Sequence, residues 1–134
     1  MGMLKGSCCC GTVAFELDEA PTMMATCHCT RCRKLGMSTF VFANRAAFRI
    51  VSGEDRIAVY QPEPGHKYHR CFCAACGTSL GEMLGADDSF PVPANCFDTP
   101  LDLAVRFHEF VDEKPTWSLI CDDAKQFPRH PVQS

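Results

Sequence analysis

Apolar and polar positions alternate along most of this chain. The segment TVAFEL at 12–17 places Val13, Phe15 and Leu17 on one face, and similar short runs occur at 40–43, 48–51, 56–60, 67–72 and 101–107. A period of two, in runs this short and this rich in β-branched and aromatic residues, predicts strands with one face in a core. Turn-forming clusters separate them at 19–21, 52–55, 62–65 and 85–88, and nine glycines and nine prolines are spread along the sequence. The pattern predicts a mainly β protein with many connections. One segment departs from it: TRCRKLG at 30–36 reads as a short helix with Thr30 as N-cap and Gly36 as stop, and a second helical turn is expected over 43–48. With no internal repeat, linker or low-complexity tract, the 134 residues are expected to form one domain, 1–134, around a single core.

Composition narrows the class. Hydrophobic residues make up 46% and charged residues 22%, ordinary proportions for a globular protein, and no apolar run approaches the roughly 20 residues that a membrane-spanning helix needs. The first eleven residues lack the apolar stretch of a secretory signal, and Gly6 stands where a myristoylation signal has Ser or Thr, so a cytoplasmic location is expected. A net charge of −3 with scattered basic residues gives no electrostatic footprint for nucleic acid; Arg31, Arg33 and Lys34 are the one basic cluster. Eleven cysteines depart from the ordinary. In a reducing compartment they point to metal rather than to a disulfide framework, and an odd count resists complete pairing.

Seven of these cysteines stand at ligand spacings. Cys8 and Cys10 precede Gly11, Cys27, Cys29 and Cys32 fall within six residues, and Cys73 and Cys76 form a Cys-x-x-Cys followed by Gly77. Sulfurs bound tetrahedrally to zinc lie only ~3.8 Å from one another, which close spacing in sequence makes easy to reach. In an extended segment Cys8 and Cys10 would share a side and Cys9 would turn away into a buried position. Cys71, Cys96 and Cys121 are read as core residues, because a free cysteine packs as a small hydrophobe. The seven ligands divide into four plus three in two ways. Cys29, Cys32, Cys73 and Cys76 make a zinc ribbon that leaves Cys8, Cys10 and Cys27; alternatively Cys8 and Cys10 join Cys73 and Cys76, leaving Cys27, Cys29 and Cys32. Spacing does not choose between them. Either division leaves one of two ions a protein ligand short, the mark of a catalytic or substrate-binding zinc.

Other residues are given plainer roles. His28 turns away from Cys27 and Cys29 on an alternating backbone, His66, His69 and His130 lie on the surface, and His108 is a hydrogen-bonded structural histidine or a site acid/base. Trp117 is read as core or as cover over the site mouth, and Met23 and Met24 as core filling.

The segments GSCCCGTV at 6–13, CHCTRCR at 27–33, FCAACGTSL at 72–80, HEFVDEKPTW at 108–117 and DDAKQF at 122–127 occur in family order. Over nearly its whole length the chain resembles the glutathione-dependent formaldehyde-activating enzymes, which share a domain with centromere protein V. The resemblance implies a small zinc-stapled β-sheet fold, the β-tent, similar to that of a small Rab exchange factor, with one or two short helices. It implies two zinc ions, a structural one on Cys8, Cys10, Cys73 and Cys76 and a catalytic one on Cys27, Cys29 and Cys32, whose fourth position is left for water or an incoming thiol. The implied activity is that of a carbon-sulfur lyase acting on a small thiol such as glutathione and an aldehyde, with Arg31, Arg33 and Lys34 meeting a substrate carboxylate or forming a solvated helix face. A different class, a non-catalytic zinc-stabilised binding module or a thiol- and metal-handling protein, would instead complete the triplet with a fourth protein ligand or cycle its cysteines through disulfides.

Overall fold

A computed structural model of the protein describes residues 3–131. Its strands are β1 (Leu4–Ser7), β2 (Ala14–Leu17), β3 (Met24–Cys27), β4 (Thr39–Asn44), β5 (Phe48–Ser52), β6 (Ile57–Tyr60), β7 (Arg70–Cys73), β8 (Ser79–Gly81), β9 (Ser89–Pro93), β10 (Val105–Glu109) and β11 (Lys125–Gln126), with one α-helix, α1 (Thr30–Leu35), between β3 and β4. They form three sheets. A central five-stranded sheet runs β11-β10-β3-β4-β9, flanked by β1-β2-β5 and β6-β7-β8. All neighbours are antiparallel except β10, which lies parallel to both β3 and β11. The mainly β expectation holds.

The alternation in β2 does what it predicts. Val13, Phe15 and Leu17 are all buried in the main core, where they pack with Val41, Leu80, Phe90 and Val92 from the other two sheets. Burying one such side chain contributes roughly 1.5–3 kcal/mol. Phe15 is held by an edge-on contact with Phe97 and a tilted one with Phe48, and Gly6 across the strand pair has no room for a Cβ, which would sit 2.1 Å from the Phe15 ring. The flanking sheets thus close onto the central one through interlocking rings, and two of their turns meet at the cysteines.

Several expected boundaries shift for physical reasons. The run at 67–72 becomes strand only from Arg70, and that at 101–107 only from Val105, because Leu101 and Leu103 pack onto the core from a loop that follows Pro100. The helical turn expected over 43–48 is a single 3-10 turn at Arg45–Ala47; Ala43 and Asn44 belong to β4, and Phe48 pairs with Leu17 in β5. The helix at 30 forms as expected and stops at Gly36, whose φ of 77° admits the left-handed conformation. Its N-cap is Cys29 rather than Thr30: the Cys29 sulfur accepts from the Cys32 amide, while the Thr30 amide donates to the Glu113 carboxylate. No helix among the described residues is long and apolar enough to cross a membrane.

Candidate metal centres

The turn after β1 and the turn after β7 bring Cys8 and Cys10 to Cys73 and Cys76, with all four sulfurs within 4.8 Å of one another. The Cys8 and Cys10 sulfurs are 3.6 Å apart and those of Cys10 and Cys73 3.9 Å, close to the ~3.8 Å edge of a zinc-sulfur tetrahedron. The two turns are built alike. In one, the Gly11 amide donates to the Cys8 carbonyl and the Cys8 amide to that of Val13; in the other, Gly77 donates to Cys73 and Cys73 to Thr78. Gly11 and Gly77 have φ of 78° and 82°, which a side-chain-bearing residue adopts only with strain. The segment holding Cys8 and Cys10 is therefore a turn, not the extended run expected, and Cys9 is exposed rather than buried. Its amide donates to the Thr78 hydroxyl at 3.0 Å, stitching one turn to the other. Hydrogen bonding to Thr78 holds the Cys76 thiol down at about 5, and burial pushes Cys8 up.

The second group is Cys27 at the end of β3, Cys29 at the helix cap and Cys32 within α1, again with sulfurs inside 4.8 Å. Among the described residues it has three members. Backbone bonds set the loop: the Cys27 amide donates to the Ser38 carbonyl and the His28 amide to that of Glu109. Hydrogen bonds from Cys27 and Cys32 hold the Cys29 thiol well below the usual range, while bonding to Cys29 and Cys32 and burial push Cys27 far above it. A divalent cation bound here would displace the thiol protons, since the thiolate is the metal ligand. Both groups fit a soft ion such as zinc, because every donor is sulfur and the spacing suits tetrahedral coordination. Arg70, itself buried, donates from Nη2 to the Cys32 sulfur at 3.5 Å and so faces the charge that three thiolates would bring.

Behind this loop runs a polar chain, buried at its two histidines and exposed at Asp122. His28 turns its ring away from the sulfurs, as expected, and its Nε2 lies 2.8 Å from Nδ1 of His108, whose Nε2 is 3.1 Å from both carboxylate oxygens of Asp122. A carboxylate only accepts, so with both rings neutral His108 donates to Asp122 and accepts from His28. Burial lowers the His28 pKa from its ordinary value. Replacing His108 with leucine strands the His28 donor in the interior. A loss of about 1–3 kcal/mol is expected by thermal unfolding, with faster amide exchange confined first to residues 27–33; unchanged exchange there would show that the chain does not hold the loop.

The three sulfurs, unlike the other four, open on a cleft of about 970 Å³. Its lining includes Phe40, Phe42, Phe107 and Phe110, and carries charge of both signs, Arg31, Lys67 and Arg70 with Glu63, Glu109 and Glu113. Arg31 pairs with Glu63 at 3.1 Å, Lys34 is exposed, and Arg33 does not line the cleft, so of the basic cluster only Arg31 reaches it. Phe110 has φ of 55°, a left-handed conformation that costs a residue with a side chain about 1–3 kcal/mol. Trp117 is 79% exposed and outside the cleft lining, neither core nor cover, and Cys121 is exposed where core was expected, since both lie in the irregular stretch between β10 and β11. Cys71 and Cys96 are buried, His66, His69 and His130 exposed, and Met23 and Met24 half-buried, all as read. Arg70 and the phenylalanine lining were not anticipated. The one trace was a charged residue three positions before Cys73 inside an alternating run.

The sequence model of the family described as glutathione-dependent formaldehyde-activating enzyme matches residues 3–113. The chain belongs to this family. A Halomonas elongata protein that carries, provisionally, the same name is 28% identical over 130 residues, spanning 86% of this chain and 79% of the relative. The crystal structure of a Rhodobacter sphaeroides protein superposes with a TM-score of 0.58 at 23% identity, covering 73% of this chain and 91% of that one, a likeness of fold. In this member of the formaldehyde-activating family, Asp122 lies beyond the matched region, while His28 and His108 lie within it.

Proposed function

We propose that the protein is a zinc-dependent carbon-sulfur lyase that joins a small thiol such as glutathione to an aldehyde such as formaldehyde, and separates them in reverse. The observation carrying this reading is the gathering of seven cysteines as four and three, with only the three on the cleft. Cys8, Cys10, Cys73 and Cys76 would hold a structural ion, and Cys27, Cys29 and Cys32 a second one with one tetrahedral position left to the substrate. When bound there, zinc supplies the positive charge that keeps an incoming thiol deprotonated at neutral pH. The chain's own residues do the rest. Arg70 offsets the net charge of about −1 that three thiolates leave on a divalent ion, and the phenylalanines bound the cleft beside the sulfurs. In the synthetic direction the substrate sulfur forms a bond to the carbonyl carbon, and the carbonyl oxygen takes up a proton to become a hydroxyl. A reducing compartment such as the cytoplasm would keep the seven grouped cysteines available as ligands. The test is exchange spectroscopy on glutathione and formaldehyde at equilibrium. Protein carrying two zinc ions is expected to speed interconversion with S-hydroxymethylglutathione; protein that neither binds glutathione nor changes that rate rules the substrate pair out.

A further inference from the structure

Formaldehyde brings a single carbon and glutathione is a polar peptide, yet the surface facing the three sulfurs is aromatic. Phe40 and Met37 belong to the same apolar cluster as Cys27 and Cys32, with Phe42, Phe107 and Phe110 packed against it, so apolar surface runs up to the sulfurs themselves. The rings are fixed: Phe40 and Phe42 meet edge to face at 5.4 Å, and Phe107 meets Phe127 in the same manner at 5.8 Å. Phe110 is the one non-glycine among the described residues with a positive φ, and that strained backbone serves to set a ring into the cleft wall. The charged part of the lining holds both signs, but within it Arg70 is 92% buried with Nε and Nη1 lacking any protein acceptor. At about 970 Å³ the cleft lies at the upper end of small-molecule sites, and its lining combines four phenylalanines with the unpartnered Arg70.

We propose that the adduct taken by this site carries an aromatic or long-chain apolar group on the carbon bonded to sulfur. The substrate class is then a carboxylate-bearing thiol with a hydrophobic aldehyde, the carboxylate at Arg70 and the apolar group against Phe42, Phe107 and Phe110. The inference rests on the carbon-sulfur reading given above and changes only the aldehyde. The reaction balances in the same way: the thiol adds across the carbonyl, the carbon-sulfur bond forms, and the thiol proton ends on the new hydroxyl. An apolar group displaces water from rings that a one-carbon unit leaves wet.

The test uses stable thioethers in place of the adducts, with calorimetric titration of S-methylglutathione and S-benzylglutathione into zinc-loaded protein. S-benzylglutathione is expected to bind about tenfold more tightly, as burial of one further ring implies. Phe42→Ala and Phe110→Gly, the latter suited to the local φ, are expected to cut the ratio of the two affinities to about threefold or less. Equal affinities in the unmodified protein, which need no variant to fold, overturn the inference alone, as does an advantage that survives both substitutions. Binding of neither thioether overturns the glutathione reading and this inference with it.

Discussion

Cys73→Ser is expected to abolish cooperative folding rather than to weaken one site. Cys73 is fully buried at the end of β7, opposite Ile57, and its sulfur belongs both to the main core and to the four-cysteine group that ties the β1-β2 turn to the β7-β8 turn. A structural zinc of this type contributes roughly 10–16 kcal/mol to folding in small zinc domains, as large as the ~5–15 kcal/mol net stability of a whole domain. Serine supplies a hard oxygen in place of a thiolate and leaves a hydroxyl in an apolar interior. The expected result is loss of the cooperative melt by circular dichroism, together with loss of bound zinc. Strong chelation of the unmodified protein should reproduce it, reversed by added zinc. That control separates the ion from the packing. A variant melting within about 5 °C of the unmodified protein, a shift of only about 1 kcal/mol in a domain this size, would show that the group is not a staple.

Cys29→Ser should do the opposite: keep the fold and lose the chemistry. Cys29 is half-buried at the cleft and caps α1 by accepting from the Cys32 amide at 3.3 Å. Serine is a better N-cap than cysteine, so the helix retains its cap and stability should change by less than about 1 kcal/mol. Its oxygen is a poor partner for a soft ion already held by only two other sulfurs. Bound zinc is expected to fall from two ions to one, and the rate of thiol-aldehyde exchange by roughly 100-fold or more. Metal analysis beside a melting curve decides it. Two retained ions with full activity would remove the three-cysteine group from the mechanism.

How far the sequence carries can be seen at these same residues. The seven cysteines that gather into two groups, the helix that positions Cys32 and the strands bearing Phe15 and Phe48 were legible, because each depends on local spacing, periodicity or a turn residue. The division into four and three was not, since it depends on which turns meet across the sheets; there the family resemblance chose the set that the structure brings together. Cys9 and Cys121 were misplaced because burial was inferred from residue type and from an extended backbone, where the chain turns or runs irregularly. The pairing of His108 with His28 spans 80 positions and the reach of Arg70 to Cys32 spans 38, and no periodicity records contacts so distant. The parallel pairing of β3 with β10 brings His108 beside Thr26 and so makes the histidine chain.

The asymmetry between the two cysteine groups is most directly tested by crystallography of protein grown and kept in zinc, with anomalous scattering collected at the zinc edge. The expected result is two ions per chain: one bound by Cys8, Cys10, Cys73 and Cys76, the other by Cys27, Cys29 and Cys32 with a water or added thiol as its fourth ligand. A fourth protein ligand on the second ion, or a disulfide among those three cysteines under reducing conditions, would contradict it.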